Sequence, residues 1–271
     1  MKTSFVVVLA VLSASFTFAA SETRTVDRTL SVTGEVDLDV SSGPGGVSIT
    51  TGTSGVVRVH AVIRPLFGAA DLGLAEATIQ QLEQKPPIEQ QGNRIRVGYV
   101  NDPAILGRVS ITYDIETPRE SRARAVTSSG GIRIDGIIGP AVVDSFSGRI
   151  EVTGLAKELT VKNSSGLVLI RKPNAHVTAR TGSGGIQVMG AKSSVEVETT
   201  SGRTELSDIG GDVSSRTNSG SIIVDNASGA VTAANHSGSI DAMRVGGTVR
   251  AQTRSGAIRI SQLNAASIRR A

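Results

Sequence analysis

A Ser-Gly pair opens eight successive segments of this chain, at Ser129, Ser147, Ser165, Ser183, Ser201, Ser219, Ser237 and Ser255, each 18 residues after the last. With Ser as position 1, position 4 reads Ile132, Ile150, Val168, Ile186, Thr204, Ile222, Ile240, Ile258. Position 6 reads Ile134, Val152, Ile170, Val188, Leu206, Val224, Ala242, Ile260. Positions 13 and 15 repeat the pattern nine residues on, from Ala141 and Val143 to Val249 and Ala251, and position 13 then breaks at Ser267. Position 9 adds Ile137, Leu155, Ile209, Val245 and Leu263. Alternating β-branched residues predict two short strands per repeat and exclude a helical period. One repeat cannot bury its apolar face alone, whereas copies stacked about 4.8 Å apart share a continuous core. The expectation is an all-β fold, a single-stranded parallel β-helix or β-solenoid with 18-residue coils. Eight coils make a rod roughly 35–40 Å long, and the preference of β-crossovers predicts a right-handed coil.

The period also accounts for the small and polar residues. Gly at position 2 suits a corner with positive φ or a close approach between coils, and the glycines at positions 8, 10 and 11 mark the second bend. Position 17 holds Ser145, Asn163, Thr181, Thr199, Thr217, Asn235 and Thr253. Strand parity points it inward together with the position-1 Ser, as polar ladders that bond up the stack and satisfy corner backbone groups. Positions 5 and 16 face outward and carry charges of both signs, with opposite charges often adjacent up the stack, among them Asp144, Lys162, Arg180 and Glu198. Leu167 and Leu169 interrupt that polar surface near Phe146, so these three residues form the candidate contact patch, for another segment of the chain or for a partner.

Ahead of the repeats, Lys2, the apolar run from Phe5 to Leu12 and small residues up to Ala20 form a secretory signal pattern, with cleavage expected after Ala19. The run is too short to span a bilayer. The expected organisation is therefore a signal peptide at 1–19, an N-terminal region at 20–128, and a regular solenoid of eight repeats at 129–271. Within the N-terminal region, residues 34–63 read as one degenerate coil, with Ser42, Gly43, Val47 and Ile49 matching positions 1, 2, 4 and 6 and Val57, Val59 and Ala61 forming a second strand. Leu72, Ala75, Ile79 and Leu82 have helical spacing, Asp71 is a plausible N-cap and Pro86-Pro87 a stop, so one short helix is expected at about 71–84. Strands are expected at Arg94–Val100 and Val109–Glu116. The insertion shields the N-terminal end of the stack, while the last coil is left open to end-to-end contact.

A degenerate coil, a helical interruption, the strand Ile111-Thr-Tyr-Asp-Ile-Glu-Thr-Pro118 and repeats of the form Ser-Gly-x-Ile-x-Val-x-Gly resemble the bacterial exported family labelled "putative adhesin", a domain of unknown function. The resemblance covers roughly residues 35–262. It implies a β-solenoid and an exported location, periplasmic or extracellular, and supplies no active-site residue.

The chemistry-bearing residues do not assemble on this frame. His60, His176 and His236 fall on different edges or distant coils, so no metal centre is expected. No nucleophile elbow precedes a helix. Of the acids near the first coils, only Asp135 and Glu151 approach each other, which is thin support for glycoside chemistry. No catalytic residue and no cofactor is therefore expected. The chain has no cysteine and a formal net charge of +4, which excludes a disulfide framework and is not a nucleic-acid footprint. Outside the signal only Phe67, Phe146, Tyr99 and Tyr113 are aromatic. The expected function is non-catalytic contact with an envelope protein or polysaccharide, with no membrane span after signal removal. The alternative is a polysaccharide-active β-helix lyase or hydrolase.

Overall fold

A computed structural model describes residues 23–66, 72–100, 102–262 and, for the backbone, 268–270. The signal segment with its cut after Ala19, the N-cap Asp71, Phe67, Leu263 and Ser267 lie outside the described residues. The described residues form two sheets of 12 strands facing each other across one core. The first sheet runs through Ile132–Asp135, Ile150–Thr153, Val168–Arg171 and their successors to Ile258–Gln262. The second runs through Ser121–Ser129, Ala141–Ser147, Leu159–Ser165 and onward to Val249–Ser255 and Ile268–Arg270. Each strand pairs in parallel with its counterpart one repeat away: Ile150 lies opposite Ile132 and Val168, and Val161 opposite Val143 and Ala179. This is the parallel β-solenoid that the period predicts, with about eight coils.

Positions 4, 6, 9, 13 and 15 fill the core. Ile134, Ile150, Leu155, Leu159, Ile186 and Val224 have no exposed surface. Ile268 stands opposite Val249, one residue later than the period predicts, so the register slips in the last coil.

The position-17 side chains face inward and are buried from Thr127 to Asn235. The two asparagines among them bond to the corner glycines: Asn163 Nδ2 donates to the Gly148 carbonyl at 3.0 Å and Asn235 Nδ2 to that of Gly220 at 2.6 Å. The position-1 serines, expected inward, are exposed from Ser129 to Ser255. The strand is ending there. The next residue is a glycine with φ between +122° and +158° in the seven coils from Gly148 to Gly256, and the bend breaks the inward–outward alternation.

Position 8 is the second left-handed corner. Gly136, Gly154 and Gly190 occupy it with φ of +69° to +79°, and Lys172, Asp208, Asn226 and Arg244 hold the same conformation at φ of +50° to +59°.

The N-terminal region closes the stack with antiparallel strands. Arg24–Ser31 pairs with Val56–Pro65, which pairs with Val109–Thr117 at the end of the first sheet; Ile88–Gln91 and Arg94–Val97 end the second. The helix Leu72–Gln84 packs on the first of these groups, with Ala75, Ile79 and Leu82 buried. Register corrects the reading of the degenerate coil. Ser42 pairs with Thr127 and Pro44 with Ser129, so Ser42 takes the polar-ladder position and not position 1. Its Oγ donates to the Ile111 carbonyl at 2.8 Å. The corner glycine is Gly45, where a Cβ would lie 2.1 Å from the Ile111 carbonyl oxygen, and not Gly43. Val57–Ala61 does not complete a coil: it turns back antiparallel, because the Thr53–Gly55 turn reverses the chain.

Candidate functional site

The strand expected to reach Val100 stops at Val97. Gly98 takes φ +78° and crosses the Ser41 carbonyl so closely that a Cβ would lie 2.0 Å from its oxygen. That bend delivers Tyr99 to the second sheet. Its hydroxyl donates to Asp39 Oδ1 at 2.6 Å, Arg124 stands 3.7 Å from the same oxygen, and the Arg96 guanidinium covers the ring at 4.1 Å. Burial, reinforced by the Asp39 carboxylate, raises the Tyr99 pKa, so the phenol stays a donor to Asp39. The cluster pins the segment that follows.

That segment is the four-residue helix Pro103–Leu106. Asp102 caps it by accepting from the Ala104 N–H at 2.9 Å, with Pro103 in the first turn. Leu106 lies over Gly43, where a Cβ would come 2.9 Å from Leu106 Cδ2. Between this helix and the second sheet is an open groove of about 790 Å³. Leu66, Val100, Leu106 and Val126 give it an apolar lining, and Asp144 and Phe146 form one wall. Phe146 is 69% exposed, and Val142 on the same strand face is 46% exposed. The strand Ala141–Ser147 thus presents Val142, Asp144 and Phe146 outward in a row, an apolar–acid–apolar face beside the groove.

The other two residues of the expected patch stand elsewhere. Leu169 lies on the outer face of the first sheet between Glu151 and Gln187, and is only 2% exposed although it takes no part in the core. Leu167 sits half-buried at the corner and leans over Gly185, where a Cβ would be 3.3 Å from Leu167 Cδ1. Neither lines the groove. Val142 has a signal in the sequence: it is apolar where position 14 otherwise holds Arg124, Thr160, Thr178, Glu196, Ser214, Thr232 and Arg250. The Tyr99–Asp39 contact spans 60 residues and has no local signal.

The acids weighed for catalysis are held in ion pairs. Asp135 is 3.6 Å from Arg133, and Glu151 pairs with Arg171. His60 meets Asp27 at 2.7 Å on the outer face of the first sheet, and His176 meets Ser194 at 2.7 Å in the second bend. Among the described residues, no three His, Asp or Glu side chains converge to hold a metal ion. No described helix is long and apolar enough to cross a membrane.

No family model and no curated protein matches the chain. Among solved structures it is similar to a "putative adhesin" from Bacteroides fragilis, at 16% identity over 89% of this chain and 97% of that one, TM-score 0.45. It is also similar to a "putative adhesin" from Parabacteroides merdae, at 9% identity over 89% and 97%, TM-score 0.30. A third likeness is to a "putative cell adhesion protein" from Clostridium sporogenes, at 11% identity over 88% and 100%, TM-score 0.28. Likeness at this level assigns the chain neither a partner nor an activity.

Proposed function

We propose that this chain is an exported, non-catalytic binding scaffold of the cell envelope, adhesin-like in that it holds a partner protein on a rigid surface. The observation that carries the reading is the outward Phe146 at the wall of the groove, with Val142 beside it. Large aromatic side chains left in water beside an apolar cleft mark contact sites. The in-register stack beneath holds their strand in place, so little ordering entropy is lost on binding. The N-terminal signal pattern supports export. The engagement of Asp135 and Glu151 by arginines weighs against the polysaccharide-cleaving alternative, which needs one carboxyl free to donate a proton.

The test is retention from an envelope extract by the purified chain and by Phe146→Ser, run beside a polysaccharide-release assay. The expected result is a protein retained by the wild-type chain and lost with Phe146→Ser. Equal retention by both, or release of soluble sugar products by the wild-type chain, overturns the reading.

A further inference from the structure

A second surface lies on the same sheet at the opposite end of the stack. In the last coils the outward columns of the second sheet hold Arg216, His236, Arg250 and Arg254, all exposed. Other arginines on the outer faces have a carboxylate within 4 Å, among them Arg124, Arg133, Arg180 and Arg203. Arg216, Arg250 and Arg254 have no such partner among the described residues. The nearest acids on that face are already engaged: Glu198, in register with Arg216, pairs with Arg180 at 3.2 Å, and Asp212 accepts from the Ala230 N–H at 2.7 Å. Arg216, His236 and Arg254 line one shallow depression of about 410 Å³, floored by Ala234 and edged by Gln252 and Asn235.

We propose that this face binds an anionic polysaccharide bearing carboxylates, laid along the coil stack. Coil spacing sets Arg216 and Arg254 two steps apart, about 10 Å along the stack, so they meet separate charges of one polymer. Arginine forks pair carboxylates with two parallel N–H bonds. Gln252, with Ser214 and Thr232 in the adjacent column, supplies partners for sugar hydroxyls. Among the described residues the face has no Phe, Tyr or Trp on which bases stack and no large apolar side chain to enter a bilayer, which disfavours nucleic acid and membrane. This site is independent of the Phe146 groove.

The probes are immobilised polygalacturonate and its methyl ester, a polymer of the same backbone without the charge. The expected result is binding to polygalacturonate, weakened by added salt, and no binding to the ester. Joint replacement of Arg216→Gln, Arg250→Gln and Arg254→Gln weakens it about tenfold or more without changing the thermal midpoint. A single Ala234→Glu, which puts an acid at the centre of the face, also weakens it, and Phe146→Ser leaves it unchanged. The inference fails if the ester binds equally, if the arginine variant and Ala234→Glu bind like the wild type, or if anionic phospholipid vesicles or single-stranded DNA bind more tightly than polygalacturonate. Those outcomes leave the groove reading standing, because its own test is loss of a protein partner with Phe146→Ser.

Discussion

Asn163 donates from Nδ2 to the carbonyl oxygen of Gly148 at 3.0 Å, tying the end of one 18-residue repeat to the corner that opened it. The corner carbonyls lie where the chain bends away from ladder pairing, so the side chain supplies a donor that the backbone does not. Asn163→Ala removes that donor from a buried site and is expected to cost about 1–3 kcal/mol. Thr181, at the same position, has a buried hydroxyl with no partner. Thr181→Asn is expected to recover the longer reach and to stabilise by about 1 kcal/mol. Urea unfolding of both variants checks the pair; if both are neutral, the ladder fills space and does not satisfy the corners.

The corner glycines are required for two reasons at once. Gly202 has φ +146°, and a Cβ there would stand 1.9 Å from the Gly184 carbonyl oxygen, itself part of the corner below. Gly202→Ala must open the coil spacing and take up strain, with an expected loss of about 3 kcal/mol or more. The stack propagates the disturbance, because each corner touches the next. Circular dichroism and thermal melting of the variant give the answer directly.

The column logic explains what could be read from sequence and what could not. Period-2 alternation placed Ile132, Ile150 and Ile186 in the core, and parallel stacking at a constant register follows from the constant 18-residue interval. The helix Leu72–Gln84 was legible from Ala75, Ile79 and Leu82. The position-1 serines were misassigned because parity holds only while the strand stays extended, and the corner glycine ends it. The degenerate coil was misregistered for a similar reason: Ser42-Gly43 imitates the repeat signature, while pairing with Ser121–Ser129 puts Gly45 at the corner. The groove was illegible because it forms between segments far apart in the chain. Phe146 could be nominated as an apolar residue on an outward column, but the Tyr99–Asp39 clamp that builds the opposite wall depends on how the chain bends at Gly98.

Position 8 needs the left-handed conformation in every coil from Gly136 to Arg244, and glycine is not always there. Asp208 and Asn226 tolerate it, and Asn226 Nδ2 donates to Asp208 Oδ1 at 2.6 Å, which holds the two corners together. Lys172, at φ +51°, has no such compensation. Left-handed backbone costs an ordinary side chain roughly 1–2 kcal/mol, so Lys172→Gly is expected to stabilise by about 1 kcal/mol despite the freedom glycine gains in the unfolded chain. A rise in the thermal midpoint supports this; a fall shows that the lysine stem packs usefully on the corner of the next coil.

Thr204 interrupts the position-4 column of Ile and Val with a fully buried hydroxyl that has no partner. A buried, unpaired hydroxyl costs about 1–3 kcal/mol, and valine has the same branching. Thr204→Val is expected to stabilise by about 1 kcal/mol, measured as an upward shift of the urea midpoint at unchanged slope. A loss of stability instead points to a bridging water serving the hydroxyl.

Tyr113 is expected to make the fold sensitive to alkali. The ring is buried beneath Gly98, the hydroxyl has no partner, and burial raises its pKa above the ordinary 10.0. In the unfolded chain this phenol ionises near pH 10, whereas in the fold it keeps its proton. The folded state therefore binds more protons above that pH, and stability falls as pH rises. Tyr113→Phe is expected to raise the thermal midpoint at pH 7 by removing an unsatisfied buried hydroxyl, worth about 1 kcal/mol. It is also expected to flatten the decline above pH 10, leaving the smaller contribution of Tyr99, whose pKa is raised as well. Thermal midpoints of both proteins from pH 7 to about pH 11 decide the point: parallel curves mean that some other group carries the alkaline loss.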